Sequence, residues 1–323
     1  MNEKDLKLAS LFLPHAMSRI QIAKNKPDFR FAYYTSASTG MKILQNNEAW
    51  LRNAALMNDF SEVHHGQDCL FNAWSNTEAG AKLKAILTIL HPDAVRQFTE
   101  TFDAGQHSRT KQSFILCMSE HGDENADEDR YGRLSMWRAY GGNTNVALVL
   151  KSAPFFGETT AIDAYTSPVL YRDVSGFAEP FTDFVNGLDT SLAFLREVGW
   201  EEVHAWLSEA MRYAVLSTKH PGFLEEREWR VIFSPERNKE NRIIEDIVTL
   251  DGIPQKIFKL PFANYPDEGL VGIEIPELLD RIIIGPTEFP VELKSAFVDK
   301  LQKLGIEDAS QRVVISGIPL RRK

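Results

Sequence analysis

Two glutamates and an arginine near residue 228 are spaced in a way that suits chemistry on a sugar. The segment from residue 224 to 231 reads L-E-E-R-E-W-R-V. If it enters a strand, the two-residue period puts Glu226, Glu228 and Arg230 on one face. Two carboxylates that share a face raise each other's pKa unless a cation intervenes, and Arg230 is placed to be that cation. Such a cluster can hold ribose hydroxyls and stabilise a cationic oxocarbenium transition state. The alternative is a solvated, charge-balanced strand end.

A second group of candidate residues ends an aromatic run near the start of the chain. Tyr34 offers a ring for stacking, and the hydroxyls of Thr35 and Ser36 can bind a phosphate or a ribose. Tyr33 and Tyr34 point to opposite faces of a strand, so one of them belongs to the core. The alternative is an aromatic strand that simply ends in a Ser/Thr turn.

Trp137 and Tyr140 form a third candidate pair. They lie three residues apart, hence on one face of a helix, where they can enclose a planar ring such as adenine or nicotinamide. An aromatic pair of this kind also suits a protein core.

Two further candidate residues lie at the ends of predicted elements. Asn58 lies in the turn M-N-D-F, which either caps the next segment or fixes the backbone beside a ligand. Ser119 closes an apolar strand.

Composition and missing motifs exclude several classes of protein. The chain has 323 residues, 43% hydrophobic and 25% charged, which is typical of a globular protein, and its net charge of −9 argues against a strongly basic nucleic-acid coat. There is no Walker phosphate loop, no G-x-G-x-x-G, no G-x-S-x-G and no H-E-x-x-H. Two cysteines and the adjacent pair His64–His65 do not provide a metal-ligand spacing, so we predict no metal site.

The elements that must position these residues alternate between strands and helices. We predict strands at residues 29–35, 113–119, 146–150, 229–233, 281–286 and 312–315, and helices after Ser38 or Thr39, across most of 70–102, at 134–140 and at 291–304. The six acids between Glu120 and Asp129 are predicted to form a mobile surface loop. The expected architecture is α+β, with an N-terminal helical arm at residues 1–24 and one domain at 25–323 that carries a helical pair inserted at about 177–216.

The acidic start and the short apolar runs lack the pattern of a signal peptide or membrane span, so we expect a soluble, cytoplasmic protein.

Taken in order, these motifs resemble a widespread bacterial domain family of unknown function. Its members read tyrosine-rich strand, N-D-P-F-E, C-F-S, M-W-x-x-Y, E-x-E-W-R, I-I-G-P and S-x-x-x-Y-R. The matching pattern here extends from about Phe29 to Arg321. Phe60 replaces the proline after N-D, and Leu320 replaces the final tyrosine.

The chain also resembles, more distantly, the ADP-ribosyltransferase superfamily. That resemblance implies a split, mixed sheet, NAD⁺ as substrate, Glu228 as the glutamate on the nicotinamide ribose and Glu226 as the residue that orients the acceptor. Tyr34 and Thr35 match the first-strand position, although the usual first-strand histidine or arginine is missing, and Trp137 or Tyr140 would be the stacking ring. The residues expected to contact NAD⁺ are Tyr34, Thr35, Ser36, Asn58, Ser119, Trp137, Tyr140 and Arg230.

The same resemblance suggests a toxin-like or phage-defence role. The acceptor would be a protein or a nucleic acid, and an antitoxin or other regulator is a further expected partner. Two other hypotheses stay open: a non-catalytic module that binds a nucleotide or a partner through the aromatic cleft, and a metal-dependent nuclease that uses the acidic run. Nicotinamide release from NAD⁺ distinguishes the transferase from the binding module.

Overall fold

The structure is a computed structural model, and it describes residues 2–56, 61–100, 112–122, 126–140, 142–157, 159, 161–237, 241–250 and 252–319. The helices within these residues are α1 (Glu3–Phe12), α2 (Pro14–Lys24), α3 (Ala37–Asn46), α4 (Ser61–Asn76), α5 (Glu78–Leu90), α6 (residues 94–100), α7 (Ala126–Tyr131), α8 (Leu134–Tyr140), α9 (Ala178–Thr190), α10 (Leu192–Val198), α11 (Trp200–Leu216), α12 (Ile275–Leu278), α13 (Pro290–Lys303) and α14 (Ala309–Arg312).

The described strands are β1 (Arg30–Ser36), β2 (Glu48–Asn53), β3 (Phe114–His121), β4 (Thr144–Lys151), β5 (Ala164–Pro168), β6 (Leu170–Tyr171), β7 (Thr218–Lys219), β8 (Glu228–Phe233), β9 (Ile244–Leu250), β10 (Ile253–Pro261), β11 (Leu279–Thr287) and β12 (Val313–Ile315). Ten of them form one sheet with the order β12-β11-β4-β1-β3-β2-β10-β9; β8 joins it at β3, and β5 pairs with β8. The sheet is mixed, because β11 and β12 run parallel whereas β1 runs antiparallel to both β3 and β4. The predicted α+β class agrees with this architecture.

The chain forms two compact units, each made of three segments. The first contains Met1–Ile22, Arg52–Ile115 and Ser167–Leu224, and it is mainly helical. Its helix α9 buries Phe181, Phe184, Val185 and Leu188, whose spacing of three and four residues places them on one apolar stripe. Three helices occupy the stretch predicted as a helical pair. Gly199, whose φ is 90°, separates α10 from α11.

The second unit contains Ala23–Leu51, Leu116–Thr166 and Glu225–Lys323, and it carries the candidate site. Phe29, Phe31, Phe156 and Trp229 pack against one another with ring centroids 5.3–6.1 Å apart. These aromatic side chains join β1, which carries the tyrosine-rich motif, to β8, which carries the E-x-E-W-R motif. The division of the chain at residue 24, which the sequence suggested, stays a prediction.

Three local predictions differ from the structure. Ser36, not Ser38 or Thr39, caps α3, since its hydroxyl accepts a hydrogen bond from the backbone N–H of Thr39 at 3.2 Å. The acidic run predicted as a loop belongs instead to the end of β3 and to α7 over its described residues. The strands β5, β9 and β10 were not predicted at all. None of the described helices combines the length and the apolar character needed to cross a bilayer.

Candidate functional site

Several candidate side chains of the central strands β1 and β3 point to the same face of the large sheet. In the β1–β3 pair, Arg30 lies opposite His121 and Ala32 lies opposite Ser119. Directly opposed residues share a face and residues alternate along a strand, so Arg30, Tyr34, Ser119 and His121 all point to the same side. Helices α7 and α8, which follow β3 in the chain, contribute the side chains that meet this face.

Tyr34 and Trp137 are packed together in the interior. Their rings meet edge to face with centroids 4.7 Å apart, and both side chains are buried. The hydroxyl of Tyr34 accepts a hydrogen bond from the backbone N–H of Arg133 at 2.9 Å, and the indole of Trp137 donates to the carbonyl of Tyr131 at 2.9 Å. Burial raises the pKa of Tyr34 to about 12, so its hydroxyl keeps its proton. Of the two predicted stacking rings, Trp137 is therefore engaged in the core, and Tyr140, 39% exposed, is the ring that a ligand can reach.

The remaining residues predicted from the first half of the chain have separate environments. Thr35 is buried and, by strand alternation, faces the side of the sheet opposite Tyr34, so these two residues do not reach one ligand together. Ser36 is used as the cap of α3. Ser119 is buried on the face of Tyr34, and its hydroxyl has no hydrogen-bond partner among the residues that the structure describes. Asn58 lies outside the described residues.

Arg133 connects Tyr34 to the segment that leads into β8. One guanidinium nitrogen, Nη1, donates to the carbonyls of Glu225 and Glu226 at 2.7 and 2.9 Å. The other, Nη2, donates to the carbonyl of Glu120 at 3.0 Å and to the carboxylate of Glu128. The backbone of the same residue holds the Tyr34 hydroxyl, so Arg133 ties the first strand to the E-x-E segment. No sequence motif marks Arg133, because three of the four groups that its guanidinium binds are backbone carbonyls.

Glu226 lies outside strand β8. It ends a short 3₁₀ helix, Pro221–Glu226, and the next residue, Arg227, has a left-handed φ of 43°. The strand alternation that was expected to place Glu226 beside Glu228 therefore does not apply, and that prediction is wrong. The carboxylate of Glu226 accepts a hydrogen bond from the Tyr140 hydroxyl at 3.1 Å, at the partly exposed margin of the site.

Glu228 and Arg230 form a buried ion pair on β8. Arg230 Nε lies 2.8 Å from Glu228 Oε1, and Nη2 lies 3.2 Å from Oε2, so the guanidinium engages both carboxylate oxygens. Trp229, between them, donates its indole N–H to Glu120 at 2.8 Å on the face that also carries Phe31. By alternation Glu228 and Arg230 face the other side, which is the side of Tyr34 and Ser119. The predicted role of Arg230 as the cation for Glu228 agrees with this geometry.

A charged network extends the same face towards β11. Asp129 of α7 lies within ion-pair distance of Arg30, Arg281 and the ring of His121, at 2.7, 3.1 and 3.2 Å respectively. Asp280 binds the same two arginines at 2.8 and 2.9 Å, and although burial acts to raise its pKa, these hydrogen bonds lower it. Asp129 of the acidic run is thus neutralised by arginines far away in the chain, so this residue is not the solvated loop acid that the local composition predicted.

His121 should make the stability of this unit depend on pH. It is fully buried, and burial, followed by the charge of Arg30, lowers its pKa to about 4. An unfolded histidine titrates near pH 6.5, so as the pH falls the unfolded chain takes up a proton before the folded chain does. The contribution of His121 to the free energy of unfolding is therefore fully present above about pH 6.5 and is lost as the pH drops towards 4. From pH 7 to 4.5 we expect this residue to cost roughly 2–3 kcal/mol, measured by urea unfolding. His121→Gln should flatten that part of the pH profile, and an unchanged slope would contradict the assignment.

Comparison with known proteins matches one part of the chain to a family of unknown function. A family model described as "Protein of unknown function (DUF2971)" matches residues 136–231. The matched interval contains Trp137, Tyr140, Glu226, Glu228 and Arg230, and it supports the predicted domain family over that part of the chain. No curated protein and no solved structure matches the chain. Among the described residues, no three His, Cys, Asp or Glu side chains are grouped so as to hold a metal ion.

Proposed function

We propose that this protein is an NAD⁺-dependent ADP-ribosyltransferase-like enzyme. The observation that carries the proposal is that Tyr34, on an early strand, and Glu228, on a late strand, face the same side of one branched sheet. Arg133 links the hydroxyl of Tyr34 to the backbone before Glu228, so the two distant stretches are physically joined. This arrangement supports the more distant of the two resemblances that the motifs suggested.

In the proposed reaction, the bond between C1′ of the ribose and the nicotinamide nitrogen breaks. Nicotinamide leaves as a neutral base with the bonding electron pair, and the ribose acquires oxocarbenium character. The Glu228 carboxylate accepts a hydrogen bond from a ribose hydroxyl and offsets the positive charge; it can do so while held by Arg230, because a carboxylate offers about four lone-pair positions. The nucleophile of the acceptor then bonds to C1′, and its proton passes to Glu226.

The exposed margin of the site gives roles to Tyr140 and Glu226. Tyr140 presents an accessible ring that suits stacking against the nicotinamide, and its hydroxyl holds the Glu226 carboxylate in place. A half-buried carboxylate beside an exposed ring suits contact with an incoming acceptor. The acceptor, in this proposal, is a protein or a nucleic acid, and the biological role is that of a toxin or a phage-defence effector under the control of a regulator.

A non-catalytic nucleotide-binding module is the second candidate. It is favoured by the Glu228–Arg230 pair itself, because the guanidinium engages both carboxylate oxygens and neutralises the charge that the transferase would use. In that case the face would recognise a nucleotide or a partner without breaking a bond.

One assay separates the two candidates. Purified protein is incubated with NAD⁺ labelled in the nicotinamide ring, and both bound and released label are measured. Release of nicotinamide supports the transferase, and transfer of label from adenylate-labelled NAD⁺ to added protein or RNA then identifies the acceptor class. Stoichiometric binding without release supports the binding module, and absence of both binding and release contradicts both candidates.

A further inference from the structure

Two adjacent carboxylates on α7 each lie between two arginines. Asp129 uses one oxygen for each arginine: Oδ1 lies 2.7 Å from Arg30 Nη2, and Oδ2 lies 3.1 Å from Arg281 Nη1. The acid and its two arginines come from α7, β1 and β11, so the arrangement depends on the fold and not on neighbouring residues of one helix. An acid that bridges two guanidinium groups in this way occupies the positions that phosphate oxygens take in arginine-lined sites.

Glu128 repeats the pattern one residue earlier. Its Oε1 accepts from Arg133, and its Oε2 lies 3.7 Å from Arg227 Nη1. Glu128 is buried, which is uncommon for an acid unless cations surround it. Two consecutive acids thus engage four arginines, as the two phosphate groups of a pyrophosphate would.

Strand β3, on the sheet face towards α7, carries buried polar atoms that have no hydrogen-bond partner among the described residues. Ser119 and His121 are 1% and 0% exposed, and within the described part of the chain the hydroxyl of Ser119 and both ring nitrogens of His121 have no partner with hydrogen-bond geometry. The His121 ring does lie 3.2 Å from Asp129, which shows that it is directed towards the acids of α7. Buried polar groups normally have partners, so unsatisfied donors and acceptors beside an arginine cluster indicate a site built for a polar ligand.

We infer that Glu128 and Asp129 occupy an anion-binding site as internal substitutes for the pyrophosphate of a nucleotide, and that a nucleotide must displace them to bind. This inference deepens the proposed function and rests on it for the identity of the ligand, a dinucleotide. The pyrophosphate bonds directly to Arg30, Arg281, Arg133 and Arg227, and Ser119 with His121 supplies further hydrogen bonds. The α7 carboxylates therefore compete with the ligand and hold the free protein in an inhibited state.

Removal of one internal carboxylate tests the competition. Glu128→Gln keeps the size of the side chain but weakens its hold on the arginines, so we expect the dissociation constant for inorganic pyrophosphate to fall about tenfold or more relative to wild type. The control is Asp127→Asn, which removes the same charge from an exposed position on the same helix and should change the affinity less than twofold. Isothermal titration calorimetry at one fixed ionic strength measures all three proteins.

A second variant keeps the test decisive if Glu128→Gln does not fold. Asp129→Asn leaves Arg30 and Arg281 bound to Asp280, so it should fold and also bind pyrophosphate more tightly. In either background Arg281→Gln should abolish the gain. The inference is overturned if neither variant binds pyrophosphate more tightly than Asp127→Asn, or if the gain survives Arg281→Gln. Because pyrophosphate contains no glycosidic bond, this test can succeed when nicotinamide release fails, and the two proposals are judged separately.

Discussion

Replacement of Glu228 by glutamine is expected to lower the rate of nicotinamide release from NAD⁺ by roughly 10²–10⁴-fold. The amide keeps the shape of the side chain but loses the negative charge that offsets the oxocarbenium ion. Because Glu228 is buried beside Arg230 and faces the side of Tyr34, its charge acts in a medium that screens it little. The measurement is single-turnover release of labelled nicotinamide by the variant and by wild type.

A matched control separates lost chemistry from lost folding. Glu225→Gln removes the same charge three residues earlier, at an exposed position, and should leave the rate within about twofold of wild type. Removal of one partner of a buried ion pair also destabilises a protein, so the circular dichroism and urea unfolding of Glu228→Gln must show a folded variant at the assay temperature. A folded Glu228→Gln protein that releases nicotinamide at the wild-type rate would exclude Glu228 from the reaction and favour the binding module.

The sequence predicted most of the elements that position the candidate site. The apolar runs at β3, β4 and β11 are continuous, and a buried strand needs little more than such a run between polar residues. Helix α8 was predicted with its observed bounds, since Gly141 stops the pattern directly after Tyr140. The hairpin of β9 and β10 was missed because β9, I-E-D-I-V-T-L, has no regular apolar–polar alternation in its sequence and contains no buried residue, and isoleucines such as Ile244, Ile247 and Ile253 are exposed.

The partners of the charged residues could not be predicted from the sequence. Asp129 is neutralised by Arg30 and Arg281, which lie 99 and 152 residues away, and only the sheet brings them together. The sequence around residue 129 contains the acids but not their arginine partners, so local composition predicts that the run is solvated. The predicted position of Glu226 was wrong for a different reason. The left-handed backbone at Arg227 breaks the strand alternation, and an arginine in the sequence does not indicate that conformation.

The packing of strand β8 against the sheet leads to a second large expected effect, on stability. Trp229→Ala is expected to lower the free energy of unfolding by about 3–5 kcal/mol. The indole is 1% exposed, and it packs on Phe29, Phe31 and Phe156 with centroids 5.4–6.0 Å away. Its removal leaves a cavity at the point where β8 joins the sheet, and a close-packed interior does not refill such a space. Urea unfolding followed by circular dichroism measures the change.

Two controls show whether the cavity is the cause. Trp229→Phe keeps a ring in the cluster and loses mainly the hydrogen bond to Glu120, so it should cost less than half as much as alanine. Phe289→Ala removes an aromatic ring that is 53% exposed and should change stability by about 0.5 kcal/mol or less. If Trp229→Ala unfolds at the same urea concentration as Phe289→Ala, β8 is not anchored by this cluster. The common sheet face of Tyr34 and Glu228, on which the proposed chemistry depends, would then lose its structural basis as well.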